Sequence, residues 1–282
     1  MGDADDGDVD GDNVVNGSDV DVDGDGTPNV SDDDIDGDGV DDYTFKPTFR
    51  YYGYFDPVKC YSYNASHAAG ARFEPAVAVA STTTHACPTT GSYWSGNFLN
   101  WATMTRIDVV RKMMYGGFRR EDTSTDTTLE MAQMSQDAHS FVKYYAGSDV
   151  RSYTPFAFDT DLARAGLTIC SRSTQNSDPT ASSPGAPVMR VVKGNYSLWA
   201  TIPGTVCRWS SELSGFSFGA KATAFYTKYG PNQGVSTTDP TAHRSTLPTQ
   251  STHGATYSSG GTTVGPELAI RVKVCNPSLL GS

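Results

Sequence analysis

Lysine, arginine and glutamate are all absent from residues 1–42 of this 282-residue chain, whereas the same segment contains 17 aspartates. A segment with so much negative charge repels nucleic-acid phosphates, so we expect no nucleic-acid partner. Long apolar runs are also missing, and none approaches the roughly 18 residues that cross a membrane. We therefore expect no membrane span.

Recognisable catalytic motifs are missing too. The sequence contains no GxSxG, no HExxH, no phosphate-binding glycine loop and no paired-carboxylate motif, and its five histidines are scattered along the chain. We therefore expect that this protein is not an enzyme. A secreted hydrolase whose Ser, His and Asp side chains meet only in space is the catalytic alternative that residue spacing leaves open.

The aspartates of the first segment follow a 13-residue repeat. Asp8, Asp21 and Asp34 open three units, and aspartates follow each of them at the second and fourth positions. Alternating carboxylates let a short loop direct several oxygens at one cation, and Ca²⁺ takes about six to eight oxygen ligands. We predict several Ca²⁺ ions, held by Asp8, Asp10, Asp12, Asn16, Asp19, Asp21, Asp23, Asp25, Asn29, Asp32, Asp34, Asp36, Asp38 and Asp41.

The middle unit, residues 21–32, is the most complete of the three. It places oxygen-bearing side chains at loop positions 1, 3, 5 and 12 and Gly26 at position 6, where a calcium loop turns sharply. No helical apolar pattern flanks the loops, so paired EF-hands are not expected, and the run resembles the thrombospondin type 3 class of aspartate repeats. The alternative is a solvated acidic tail, because blocks of like charge are usually disordered.

The other 240 residues have a different composition. They carry 15 acidic and 21 basic side chains, so this body is mildly basic although the whole chain has a net charge of −11. A body of this length can bury one sizeable core or two modest ones. Abundant Gly, Ser, Thr, Pro, Asn and Tyr are typical of a β-rich exported protein. We predict an α+β fold with a β-rich body, two main helices and long loops, preceded by an irregular calcium-loop arm.

Five cysteines lie far apart, with no CxxC motif and no nearby histidine pair, so disulfides are favoured over a zinc site. Pairing of neighbours gives Cys60 with Cys87 and Cys170 with Cys207. Cys275 is then left over, which predicts a partner beyond this chain or in another subunit, or else a buried free thiol. Disulfides and calcium loops both favour an extracellular location.

Met1-Gly2-Asp3 leads straight into the acidic repeat, so we expect no signal peptide here and expect the chain to be a processed or truncated piece. It divides into calcium-binding repeats at 1–42, an extended aromatic linker or edge strand at 43–54, and an α+β region at 55–282. Helices are predicted at about 96–115 and 127–145, and strands mainly after residue 150. The predicted strands are 153–158, 188–192, 196–201, 216–229 and 268–274, and the predicted long loops are 172–186 and 229–266.

The first predicted helix has the clearest signals. Ser95 can cap its start, and Gly116 and Gly117 can stop it. We expect Trp101 and the methionines of this helix to lie in the core. One broad apolar face carries Leu99, Ala102, Ile107, Val110 and Met114.

Four segments of the body contain sequence motifs that occur in the same order in a known protein family: 51–63, 94–117, 137–140 and 271–280. The first contains Tyr-Gly-Tyr-Phe-Asp-Pro, and the second is a long block that begins Trp-Ser-Gly-Asn-Phe-Leu-Asn-Trp. Together they resemble the N-terminal region of the PilY/PilC family of type IV pilus tip-associated adhesins. The block at 94–117 is the most specific of the four.

That resemblance implies an exported protein of pilus tips or the cell surface, which aids pilus assembly and retraction and mediates adhesion. The family's C-terminal propeller is not contained in this sequence, and the aspartate repeat stands where many members carry a von Willebrand A-like metal site. We therefore expect an extracellular, calcium-binding structural or adhesive module. Its expected partners are pilus subunits, copies of itself, or a cell-surface or host ligand. The alternative is a subunit of a calcium-stabilised homopolymeric extracellular filament.

Overall fold

The computed structural model describes residues 44–68, 70–124, 126–133, 141–161, 164–172, 185–196, 199, 207–213 and 247–274. The chain divides into two units, and the elements below belong to the second, Lys46–Ser282. The helices are α1 (Gly96–Thr103), α2 (Arg106–Tyr115) and α3 (Gln250–His253). The strands are β1 (Lys59–Asn64), β2 (Arg72–Ala78), β3 (Trp94–Ser95), β4 (Arg119–Asp122), β5 (Thr127–Glu130), β6 (Phe141–Tyr145), β7 (Leu167–Arg172), β8 (Val188–Lys193), β9 (Tyr257–Ser259), β10 (Thr262–Val264), β11 (Glu267–Ala269) and β12 (Arg271–Val274).

Two large sheets and one two-stranded sheet make up the described part of the body, which is β-rich as predicted. The six-stranded sheet has the order β3-β1-β2-β12-β5-β4, the four-stranded sheet has the order β11-β8-β7-β6, and β9 pairs with β10. Strand β12 runs parallel to β2 and antiparallel to β5. Only Ile270 separates β11 from β12, so one continuous stretch of chain belongs to both sheets and joins them.

Helix α1 lies in the core and contacts both sheets. All eight of its residues are buried, and it contacts β1 and β3 of the larger sheet and β7 of the smaller one. The Ser95 hydroxyl accepts a hydrogen bond from the Phe98 amide and so caps the helix, as predicted. Trp101 is 7% exposed and packs against Phe98 and Tyr145, which confirms its place in the core.

The predicted helix at 96–115 is two helices, because the chain becomes extended at Met104 and Thr105. The Thr105 hydroxyl accepts from the Asp108 amide, and the Asp108 carboxylate accepts from the Thr105 amide. This capping box starts a new helix, which Gly116 ends with φ 84°. The prediction that the methionines lie in the core is wrong for Met113 and Met114, which are 69% and 76% exposed. Beyond the break the apolar face is turned to solvent, since Ile107 and Val110 are 50% and 52% exposed.

The predicted helix at 127–145 is also wrong. Its first residues form β5, which pairs with β12, and its last form β6, which pairs with β7. Both ends are rich in Thr, Val, Phe and Tyr, residues that fit a pleated surface. Pairing with strands distant in the chain therefore outweighs the helical periodicity of the apolar residues.

Strands 188–192 and 268–274 are confirmed, the latter with the break at Ile270. The predicted strand at 153–158 is wrong, since a 3₁₀ helix, Val150–Ser152, leads into irregular chain there.

The predicted loop at 229–266 contains α3, β9 and β10 in its described part, because Gly260 and Gly261 close a tight hairpin. Residues 44–54 form turns without a strand, which favours the linker over the edge strand. Strand 216–229 and nearly all of 196–201 lie outside the described residues.

Each sheet is joined to a neighbouring segment by one disulfide. Cys60 on β1 pairs with Cys87, and Cys170 on β7 pairs with Cys207, with Cα–Cα distances of 5.8 Å and 5.6 Å. These are the two pairs that neighbour spacing predicts. Cys275, the leftover cysteine, lies outside the described residues.

Candidate functional site

The fourteen predicted calcium ligands all lie between Asp8 and Asp41, outside the described residues. The calcium assignment therefore stays a prediction. Within the described residues, the charged groups that converge in space are arginine-centred clusters, and sequence reasoning identified neither of the two described below.

The first cluster surrounds Arg72 on β2, whose side chain is only 2% exposed. Its Nη1 and Nη2 donate to the two carboxylate oxygens of Asp126 at 2.8 Å each, and its Nε donates to Glu74 at 2.8 Å. Nη1 also donates to the Thr128 hydroxyl at 2.7 Å. Because Asp126 lies in the turn before β5, this fork ties β2 to the β4–β5 hairpin across the intervening strand β12.

His67, Glu121 and Asp126 bring one ligand atom each within 4.8 Å of one another, which raises the question of a metal site. Asp126 already faces two cations, since Arg72 binds both of its oxygens and Lys273 Nζ lies 3.4 Å away. The hydrogen bonds from Arg72 lower the pKa of Asp126. A metal ion would have to displace this arginine, so the geometry assigns the cluster a structural role.

The second cluster surrounds Arg190 on β8, also 2% exposed. It donates to Glu212 at 2.5 Å and 2.7 Å, lies 2.7 Å from Glu267, and donates to the Cys207 carbonyl at 2.6 Å. Arg172 on β7 lies beside it and is 3% exposed, with Nη1 3.8 Å from Glu212. Within the described residues, Arg172 Nε and Nη1 have no hydrogen-bond partner. Burial, together with the neighbouring charge of Arg190, lowers the pKa of Arg172 to about 10.

A cavity of about 410 Å³ lies beside the segment that joins the two sheets. Tyr63, Glu267 and Arg271 are among its lining residues. The Tyr63 hydroxyl accepts from the Ala269 amide at 2.8 Å, and Arg271 Nε donates to Glu130 at 2.6 Å. Burial raises the pKa of Tyr63 to about 12. The described lining contains no histidine, cysteine or serine, and its polar groups stabilise the fold.

Two described histidines bind the backbone. His85 Nδ1 donates to the Pro47 carbonyl at 2.9 Å, and His253 Nδ1 accepts from the Thr249 amide at 2.9 Å. His139 and His243 lie outside the described residues. These contacts assign structural roles to His85 and His253, and the non-enzymatic character of the chain stays a prediction.

No helix among the described residues is long and apolar enough to cross a membrane. A family model described as "PilY1 homolog, small alpha/beta domain" matches residues 42–192. Two proteins of Xylella fastidiosa (strain Temecula1 / ATCC 700964), both named type IV pilus biogenesis factor PilY1 homolog, are 43% identical over 94 residues and 40% identical over 122 residues. The matches cover 33% and 41% of this chain but 8% of each relative. No solved structure matches.

Proposed function

Since this chain belongs to the PilY1 homolog family, whose small alpha/beta domain matches more than half of it, we propose that it is an extracellular module associated with type IV pili. In this proposal it binds calcium and has a structural or adhesive role. The observation that carries the proposal is the family match at 42–192, which includes the whole of α1 and α2. The relatives are named for pilus biogenesis, and the chain spans 8% of their length.

The two disulfides support an extracellular location, because such bonds form and persist in oxidising compartments. Pilus subunits, copies of the chain, or a cell-surface or host ligand are the partners that we propose. Each buried arginine cluster joins strands within one sheet, so an adhesive contact would use the outer surface of this body.

The proposed calcium sites lie in residues 1–42, whose repeat resembles the thrombospondin type 3 class. With 17 aspartates and no basic residue, this segment would concentrate negative charge on folding, and each bound Ca²⁺ removes two charges. Metal binding and folding of the segment are therefore one event in this proposal. The bound segment would act as a stiffened stalk or a docking element.

A second candidate is a subunit of a calcium-stabilised homopolymeric filament. The specific observation in its favour is the odd cysteine count, which leaves Cys275 without a partner in the pairing that the structure contains. A disulfide to a neighbouring subunit would use that thiol. Calcium ions held between subunits would then control assembly.

One set of sedimentation experiments distinguishes the pilus-associated module from the filament subunit. The full chain is mixed with purified type IV pili and pelleted, with calcium and then with EGTA, and the chain alone is followed by sedimentation velocity. Calcium-dependent pelleting with pili supports the pilus-associated module. Large reversible assemblies of the chain alone support the filament, and pelleting that is independent of both pili and calcium overturns both readings.

A charge-matched pair of variants tests the ligands. Changing Asp21, Asp23 and Asp25 to Asn removes three predicted ligands of the middle unit, whereas changing Asp3, Asp5 and Asp6 to Asn removes equal charge outside the repeat. We expect calorimetric calcium binding to fall with the first set and to persist with the second. Equal loss with both sets would indicate an acidic segment that attracts calcium without building sites.

A further inference from the structure

Helix α2 presents its apolar residues outward. Ile107, Val110, Met113 and Met114 are 50%, 52%, 69% and 76% exposed, and Asp108 is the one residue of the helix that is buried. The first, second and fourth of these side chains lie three and four positions apart, so they form one stripe along the helix. The usual arrangement, with the apolar stripe on the core, is reversed here.

Aromatic residues extend this apolar surface beyond the helix. Tyr115 and Phe118 are 55% and 42% exposed, and Tyr52 is 52% exposed. We call Ile107, Val110, Met113, Met114, Tyr115 and Phe118 together the α2 face. Exposed apolar side chains that cluster on one part of a protein surface mark a contact with a partner or a membrane.

Basic residues outnumber acidic ones around the α2 face. From Met104 to Arg120 there are five basic residues and one acidic residue, Asp108, which is buried in its capping role. Glu121 and Asp122 follow directly, and the exposed Asp122 carboxylate accepts from Arg119 at 2.7 Å. The Arg111 guanidinium lies 5.7 Å from the Phe118 ring centroid. Lys112 Nζ lies 4.5 Å from the Tyr52 ring centroid. Cations therefore lie directly against the apolar surface.

We propose that the α2 face binds an anionic lipid surface. Exposed aliphatic, methionine and aromatic side chains on one side of a helix, accompanied by Arg and Lys, are the composition of helices that lie in the plane of a bilayer interface. The apolar residues enter the acyl boundary, while the basic residues meet the lipid phosphates. Lipid would be a further ligand beside those of the proposed adhesive role, and its binding to the α2 face would require neither calcium nor pili.

Two observations favour a lipid over the other occupants. The stripe lies on the exposed side of a helix, and the described cavity beside β11 and β12 is lined by none of its residues. A symmetric contact with a second copy would bring the five basic residues of one copy against those of the other. An anionic bilayer matches both the exposed apolar stripe and the excess of basic residues beside it.

The test uses the full chain and phospholipid vesicles in EGTA, which removes calcium bridges between the aspartate repeat and lipid phosphates. We expect the chain to float with vesicles of phosphatidylcholine and phosphatidylglycerol but not with phosphatidylcholine alone. Raising the salt concentration should weaken binding, because exposed charges are screened over about 10 Å at 0.1 M salt. Equal binding to both vesicle types, or to neither, overturns the proposal.

Matched variants at one pair of positions connect the binding to the α2 face. Changing Met113 and Met114 to Gln keeps side-chain length and helix propensity but removes apolar character, whereas changing both to Leu keeps apolar character. We expect the Gln variant to lose affinity about tenfold or more and the Leu variant to retain it. Far-UV circular dichroism verifies that both variants keep the fold.

Two further results would contradict the inference. If the Gln and Leu variants bind vesicles alike, the lipid contact lies elsewhere on the molecule. If sedimentation velocity shows self-association that the Gln variant abolishes, the α2 face is a contact between copies of the chain. A loss of vesicle binding when Arg106 and Arg111 are changed to Gln, without loss of structure, is the result that the charge argument requires.

Discussion

Two buried arginines lie side by side with opposite consequences for stability. Arg190 binds two carboxylates and a carbonyl and has one nitrogen, Nε, without a hydrogen-bond partner among the described residues. Arg172 has two such nitrogens, and its nearest carboxylate, that of Glu212, is 3.8 Å away. We expect Arg190→Met to lower the free energy of unfolding by about 3 kcal/mol, because Glu212 and Glu267 lose their counter-charge. We expect Arg172→Met to raise it by about 1 kcal/mol, since a desolvated charge is replaced by an apolar side chain.

Urea unfolding of the two variants beside the wild type measures both values. Each variant removes one positive charge and introduces the same residue, so each serves as the control for the other. A loss of similar size in both would show that Arg172 has partners as strong as those of Arg190, and would contradict this account of the cluster.

We predict that the free energy of unfolding depends on pH through the Asp126 carboxyl. Hydrogen bonds from Arg72 lower its pKa below the ordinary value of 3.8, so the folded chain holds this proton more weakly than the unfolded chain. The pair therefore stabilises the fold fully above pH 3.8, and that stability is lost as the pH falls through the lower folded pKa. Asp126→Asn should remove this part of the acid sensitivity.

The measurement is the difference in unfolding free energy between wild type and Asp126→Asn as the pH falls below 5. Taking the difference cancels the titration of the aspartates in residues 1–42, which both chains share. We expect the gap between the two chains to narrow as the pH falls. A gap that stays constant would mean that Arg72 does not perturb this carboxyl.

At the scale of elements, α2 depends on its cap more than on its packing. Asp108 is its one buried residue, and the Thr105 hydroxyl and the Asp108 carboxylate form its capping box. We expect Thr105→Ala to destabilise α2 locally by about 1 kcal/mol. Hydrogen exchange of amides in α2 should then accelerate about fivefold, while exchange in the buried α1 stays unchanged. Thr105→Ser, which keeps the hydroxyl, is the control, and equal acceleration in α1 would contradict a local effect.

The cap of α1 and the break before α2 follow from short-range signals that the sequence displays. Ser95 and Thr105 each act on an amide three residues further along the chain. The strands at 127–130 and 141–145 could not be predicted in this way, because their partners in β12 and β7 lie far away in sequence. An apolar pattern that fits a helix also fits a strand with one buried side and irregular ends.

The candidate sites also differ in whether their residues lie close together in the sequence, and only a local pattern can be predicted from it. The aspartate repeat is visible in the sequence because its period is local, and the calcium prediction depends on that period alone. The Arg72 cluster is invisible, because Glu121 and Asp126 lie 49 and 54 residues from the arginine that they bind. The outward face of α2 was missed for a third reason, since its apolar spacing is the spacing of a core helix.

At the scale of the molecule, the two sheets should unfold together. One stretch of chain crosses from β11 to β12, and α1 contacts strands of both sheets. Each sheet also has its own tryptophan reporter: Trp94 is buried against Phe73 of β2, and Trp199 packs against Trp209 beside the Cys170–Cys207 disulfide. A change confined to one sheet can therefore be followed in the other.

Removing one disulfide is a change confined to one sheet. Replacing Cys60 and Cys87 by Ser opens a loop with a sequence separation of 27, and replacing Cys170 and Cys207 opens one of 37. In the chain-entropy model each loss lowers the free energy of unfolding by roughly 3–4 kcal/mol. Because both sheets share α1 and the β11–β12 segment, we expect either double variant to shift the urea transitions of circular dichroism and tryptophan fluorescence together. Two separate transitions in either variant would show that the sheets are independent folding units, each stabilised by its own disulfide.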